Sequence, residues 1–242
     1  MANLKQIASQ ALGLNGGFSL VKNFFGYQYY DSTQTFVAPL SLKNQIIRAK
    51  GKSINLSIIL VGLDASFGGA SVVTRAQCIN IQTALQRMRD LYAQAPLGIR
   101  KLYWQRIGVN DAGSYINILD GSEATDLTDD WSGANDGIDT FFVQTIGDAA
   151  GWSNRDGPCD KDESCERTGA VIEMRTDLDF FGVLVAHEVG HYLGLAGGVG
   201  PGNLMGSDVN NNGIDEIDTT STNITASQAS TMRSGCYVKA AL

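Results

Sequence analysis

The chain has 242 residues, of which 43% are apolar and 18% charged, with a formal net charge of −7. Charge content well below the usual ~25% excludes a disordered, solvating polymer, and the length suits one large domain or two small ones. Lys and Arg are scattered, the densest basic group being Arg48, Lys50 and Lys52, so the basic stripe of a nucleic-acid binder is missing. No apolar run reaches the ~18 residues that a membrane span needs.

Residues 1–51 are weakly patterned, with Gly16-Gly17 and an aromatic group of Phe24, Phe25, Tyr27, Tyr29 and Tyr30. They are expected to form an N-terminal extension or a propeptide-like segment, leaving 52–242 as the main domain. Met1 to Ser19 lacks the basic start, apolar run and small-residue cleavage site of a secretory signal. From Ile54 to Val61 alternate residues are apolar, the period of a strand. Thr74 then caps a long helix to about Gln94, with Cys78, Ile81, Leu85, Met88 and Tyr92 on one face.

Leu102–Val109 and Ile138–Ile146 are expected strands, separated by the acidic Gly/Ser/Asp-rich stretch Asp120–Asp136, which reads as an exposed loop. A second polar loop is expected over Trp152–Arg167, followed by a short apolar strand, Gly169–Met174. Phe180 to about Leu195 is apolar nearly all round, the mark of a buried helix. The succession predicts an α/β layer structure, with helices packed on one sheet.

Both histidines of the chain lie in that buried helix, as His187-Glu188-Val189-Gly190-His191. Residues four apart share a helix face, so two imidazoles can hold one Zn²⁺ from the same side. Glu188 falls beside them as a candidate general base for water attacking a peptide carbonyl. Three ionisable groups on an apolar helix are costly to bury unless something compensates them, and a metal would. Gly194, three residues after His191, is placed to end the helix. Met205 stands fourteen residues after His191, and Tyr192 is read as a core residue.

This pattern resembles the metzincin clan of zinc endopeptidases, with a matrixin-like spacing of H-E-x-x-H-x-x-G and of the methionine turn at Met205. The resemblance covers roughly residues 52–240. It implies a twisted, mostly parallel sheet with an antiparallel edge strand, a long first helix, a buried active-site helix and a C-terminal helix. Gly169–Met174 looks like the edge strand above the cleft, and Thr222–Val238 like the C-terminal helix. The implied activity is zinc-dependent hydrolysis of peptide bonds in an extended peptide or protein substrate, by a monomer, with Glu188 as base.

The clan's third ligand is a histidine six residues after the second, and here that position is Gly197. The third ligand is therefore left open. Asp208 is one candidate, and Glu216, twenty-five residues after His191, is the alternative in the manner of the gluzincins. An inactive peptide-binding protein on the same scaffold is the rival function, because Gly197 has no side chain to donate.

Two further expectations concern the remaining motifs. Asp208, Asn210, Asn212, Ile214 and Glu216 follow a D-x-N-x-N-G loop pattern suited to Ca²⁺, although position twelve is Thr219 rather than glutamate. The four cysteines lack C-x-x-C spacing and suit disulfides in an oxidising, extracellular setting. Cys159 and Cys165 bracket a short loop and are expected to pair, and the clan resemblance implies a second bridge, Cys78–Cys236.

Overall fold

A computed structural model describes residues 18–23, 26–31, 36–39, 52–64, 70–133, 135–147, 149–161, 168–210 and 215–240. In the N-terminal region β1 (Phe18–Asn23), β2 (Gly26–Asp31) and β3 (Phe36–Pro39) pair in order as an antiparallel sheet.

The main sheet has five strands. β4 (Lys52–Val61) pairs in parallel with β5 (Leu97–Ile107) on one side and with β7 (Ile138–Val143) on the other. β10 (Gly169–Glu173) continues in parallel beside β7, and β9 (Gly151–Ser153) closes the edge antiparallel to β10. The antiparallel edge is thus β9, which overlaps the start of the stretch Trp152–Arg167 read from sequence as loop, while Gly169–Glu173 is an interior strand. β10 is buried over Gly169–Ile172, which gives the near-continuous apolar run of a covered parallel strand. β9 is three residues long, too short to show a period. A separate parallel pair, β6 (Asn117–Ile118) with β8 (Thr145–Ile146), lies outside the main sheet.

Alternation along β4 sorts its side chains onto two faces. Ile54, Leu56, Ile58 and Leu60 join the larger apolar cluster with α1 (Arg75–Tyr92) and α4 (Leu178–Tyr192). Ile59 and Val61 join the other cluster with α3 (Gly121–Trp131). The short α2 (Val109–Ala112) precedes α3, and α5 (Ala226–Met232) packs Ala229 and Met232 into the larger cluster.

α1 begins as expected, with a capping box between Thr74 and Gln77. α3 occupies the stretch expected to be loop. Asp120 accepts from the N–H groups of Ser122 and Glu123, and Glu123 accepts from the Leu119 N–H at 2.8 Å. These caps and the burial of Ala124, Leu127 and Thr128 outweigh a polar composition. The C-terminal helix is shorter than the expected 222–238 because Thr225 caps it only at Ala226, and a turn at Ser234 and Gly235 follows it.

α1 and α4 cross closely where a side chain on Gly182 would collide with Arg87. The buried Tyr92 hydroxyl donates to the Ala186 carbonyl at 2.7 Å, tying the helices one residue before His187. Phe181 meets Phe142 of β7 edge-to-face, with centroids 5.8 Å apart. α4 is thereby fixed against both the sheet and α1, which sets the depth of the histidines.

One disulfide is present among the described residues, Cys159–Cys236, with a Cα separation of 5.7 Å. Both expected pairings are corrected: Cys159 is bonded to Cys236, and Cys78 is a free, buried thiol. Cys78 lies on the core face of α1 at 1% exposure, and Cys165 lies outside the described residues. Burial pushes the Cys78 thiol up to about 12. No helix among the described residues is long and apolar enough to cross a membrane.

Candidate metal centre

α4 starts at Asp177, whose carboxylate accepts from the N–H groups of Asp179 and Phe180. It ends at Leu193, where Gly194 adopts φ 91° and Leu195 N–H donates back to Gly190 O at 3.0 Å. A left-handed residue is cheap only for glycine. This reversal aims the Leu195 carbonyl at His191, whose Nδ1–H donates to it at 2.9 Å.

The following chain passes beneath the helix. Asn203 Oδ1 accepts from the Met205 N–H at 2.9 Å, and Gly206 turns with φ 58°. Asn203 also exchanges hydrogen bonds with Gln228 of α5, so the turn is locked to that helix. Met205 lies so close under α4 that a Cβ on Gly190 would stand 3.1 Å from its sulfur. The same turn presents the Leu204 carbonyl to His187, which donates from Nδ1 at 2.9 Å.

A carbonyl can only accept, so each imidazole carries its proton on Nδ1 and leaves the Nε2 lone pair free. The two Nε2 atoms face each other at 3.0 Å. Two lone pairs converging at that distance repel unless a shared cation lies between them, and imidazole nitrogen is a good donor for Zn²⁺. The donor set therefore fits the metal that the motif implies. Burial pushes the His187 pKa down to about 3, with His191 adding to the fall; burial likewise lowers His191. Both are held neutral, the form that binds metal.

Asp215 completes a cluster with them. Its Oδ2 lies 3.3 Å from His191 Nε2, and one ligand atom from each of His187, His191 and Asp215 falls within 4.8 Å of the others. Burial raises the Asp215 carboxyl, while His191 and the Gly198 N–H pull it back. Asp208 and Glu216, the residues singled out from sequence, are not in this cluster. Glu216 instead accepts from the Asn210 amide and pairs its backbone with Ser207. Of the candidate calcium loop, Asn212 and Ile214 lie outside the described residues, and Asp208, Asn210 and Glu216 give calcium no support.

Glu188 is 5% exposed. Burial, and then the charge of Asp215, raise its carboxyl pKa to about 8. The carboxyl packs against the backbone of Gly151 at the start of β9. An open cleft of about 430 Å³ runs over these groups, walled by residues 149–155 on one side and by Asp215 and Ile217 on the other. α4 forms its floor through Leu184, His187, Glu188 and His191.

The segment after β9 closes over the C-terminal end of α4. Asp156 and Gly157 donate their N–H groups to the His191 and Tyr192 carbonyls at 2.9 and 3.0 Å, and Tyr192 Oη donates to Pro158 O at 2.9 Å. Tyr192 is a core residue, as expected, at 3% exposure. Cys159 then ties this segment to Cys236.

No family model matches the sequence, and no curated protein matches it. One similar solved structure is that of archaemetzincin from Methanopyrus kandleri. The two chains are 12% identical, with a TM-score of 0.47, and the similarity covers 75% of this chain and 95% of that one.

The reading of the sequence missed Asp215, Gly151 and the carbonyls of Leu195 and Leu204. The carbonyls carry no sequence signal. Asp215 sits twenty-four residues after His191 among other acidic and amide residues, with nothing local to distinguish it.

Proposed function

We propose that the chain is a zinc-dependent endopeptidase. The observation that carries this reading is the pair of Nδ1-anchored imidazoles whose Nε2 lone pairs converge 3.0 Å apart on the floor of an open cleft. Glu188, the next residue after His187, stands in the same cleft. The motif resemblance to metzincins points the same way.

His187 and His191 would hold the zinc, which when bound would supply Lewis-acid polarisation of a carbonyl and of the attacking water. Glu188 takes the proton from that water and delivers it to the leaving amide nitrogen. β9 is a sheet edge lining the cleft, and an extended peptide can add to it as a further strand. Backbone pairing of this kind would hold the scissile peptide bond over α4.

The test uses Glu188→Gln, which removes the base but keeps the shape. Zinc content is expected to stay at one per chain while cleavage of casein falls ~100-fold or more. Activity equal to the parent would remove Glu188 from the reaction. A peptide-binding protein on the same scaffold remains the second reading, favoured by the missing side chain at Gly197. Purified protein that holds peptide but no zinc would select it.

A further inference from the structure

Gly197 stands where the metzincin pattern has its third ligand. Its φ is outside the left-handed region that favours glycine, so the backbone there makes no demand for that residue. What glycine provides is room. A Cβ built on Gly197 would fall inside the carboxyl group of Asp215. The volume that a side chain at 197 would fill is occupied by a side chain from eighteen residues further along the chain.

We propose that Asp215 is the third protein ligand of the zinc site, delivered from a downstream loop in place of residue 197, and that position 197 is glycine to admit it. This rests on the zinc-peptidase reading. A carboxylate oxygen is a competent zinc donor beside two imidazoles. The Asp215 oxygen already lies 3.3 Å from His191 Nε2 and within the common reach of His187.

The delivery is built into the methionine turn. Ser207 and Glu216 exchange backbone hydrogen bonds at 3.1 and 2.9 Å, which places Asp215 directly beside the end of the turn. Gly206 packs against Glu216 and Ile217, where a Cβ would meet Ile217 Cγ2 at 2.8 Å and the Glu216 carbonyl carbon at 3.0 Å. The turn that presents the Leu204 carbonyl to His187 therefore also holds the segment that carries Asp215. One element anchors a histidine and supplies the acid. The site has the donor set of two histidines and one carboxylate, one negative charge more than three histidines would give.

The experiment measures zinc affinity of the full chain by chelator competition, with thermal melting to verify folding. Losing a hydrogen-bond partner of a ligand costs ~10–100-fold in affinity, so Asp215→Ala and the isosteric Asp215→Asn are expected to lose more than ~100-fold. Gly197→Ala is expected to weaken zinc as well, because its methyl group displaces the carboxylate. The paired change Gly197→His with Asp215→Gly is expected to recover affinity that Asp215→Ala loses. Zinc retained by Asp215→Ala and Asp215→Asn but lost by His187→Ala would overturn the proposal and leave the zinc reading intact. Parental affinity in Gly197→Ala would overturn the sharing of space. A parent chain without zinc, or His187→Ala binding it as tightly as the parent, would defeat the zinc reading and this proposal with it.

Discussion

Gly151 and Glu188 contend for one volume: a Cβ on Gly151 would stand 2.6 Å from Glu188 Cδ and 2.7 Å from Cγ. The edge strand and the candidate base are in direct contact, and the glycine at the start of β9 sets where the carboxyl lies. Gly151→Ala is expected to push the Glu188 carboxyl aside while leaving both histidines in place. Turnover should fall towards that of Glu188→Gln, ~100-fold or more, with zinc content unchanged. Parallel measurement of kcat and bound zinc checks this, and full turnover in the alanine variant would show that the carboxyl tolerates displacement.

Gly194 governs His191 through the backbone. At φ 91°, an L side chain costs roughly 1–2 kcal/mol, and the added Cβ would also press on Thr231 Cγ2 at 3.2 Å. Gly194→Ala should lower unfolding stability by about that amount in urea. It should also weaken zinc by ~10–100-fold, because the Leu195 carbonyl that fixes the His191 tautomer shifts. A variant with parental zinc affinity would separate the turn from the metal site.

The cysteines have unequal fates. Cys159–Cys236 closes a separation of 77 residues, so replacing both by serine should cost roughly 2–4 kcal/mol. Cys78, 1% exposed with its pKa at about 12, should resist iodoacetamide in the folded protein at pH 8 and react only after denaturation. Urea unfolding reads the first outcome and peptide mapping the second; rapid native alkylation of Cys78 would contradict its burial.

A buried ion pair supports the base of β7. Lys161 donates to Asp139 Oδ1 at 3.0 Å and to the Gly137 carbonyl at 2.8 Å, while Ser132 and the Gly133 N–H satisfy Asp139 Oδ2. Side-chain exposure is 5% for Lys161 and 0% for Asp139. Lys161→Met leaves the carboxylate unpaired and should cost about 3–5 kcal/mol near neutrality. Burial already raises the Asp139 pKa against the pull of Lys161, and removing the lysine raises it further. A carboxyl with a raised folded pKa contributes stability below its unfolded pKa and loses it as pH rises through the folded value. The deficit of Lys161→Met should therefore shrink at acid pH and grow towards pH 8. Melting across that range checks the sign.

Local patterns were legible where the sequence carries a period or a cap. The α1 face from Cys78 to Tyr92, the alternation in β4 and the apolar helix around His187 all follow from one periodicity each. α3 was hidden by its acidic composition, although Asp120 and Glu123 offered a cap. β9 was too short to register, so the expected edge of the sheet fell one strand inward, at Gly169–Met174.

The sequence alone determined that two histidines share a helix face with Glu188 between them, since helical geometry is set by the four-residue spacing. It also determined that the usual third position is empty, because Gly197 has no side chain. Tertiary structure alone decided what fills that corner and which cysteines pair. Asp215 reaches the histidines, and Cys236 reaches Cys159, only because separate turns fold back over the end of α4. Contacts of that kind arise from packing between distant segments, and no local period or spacing records them.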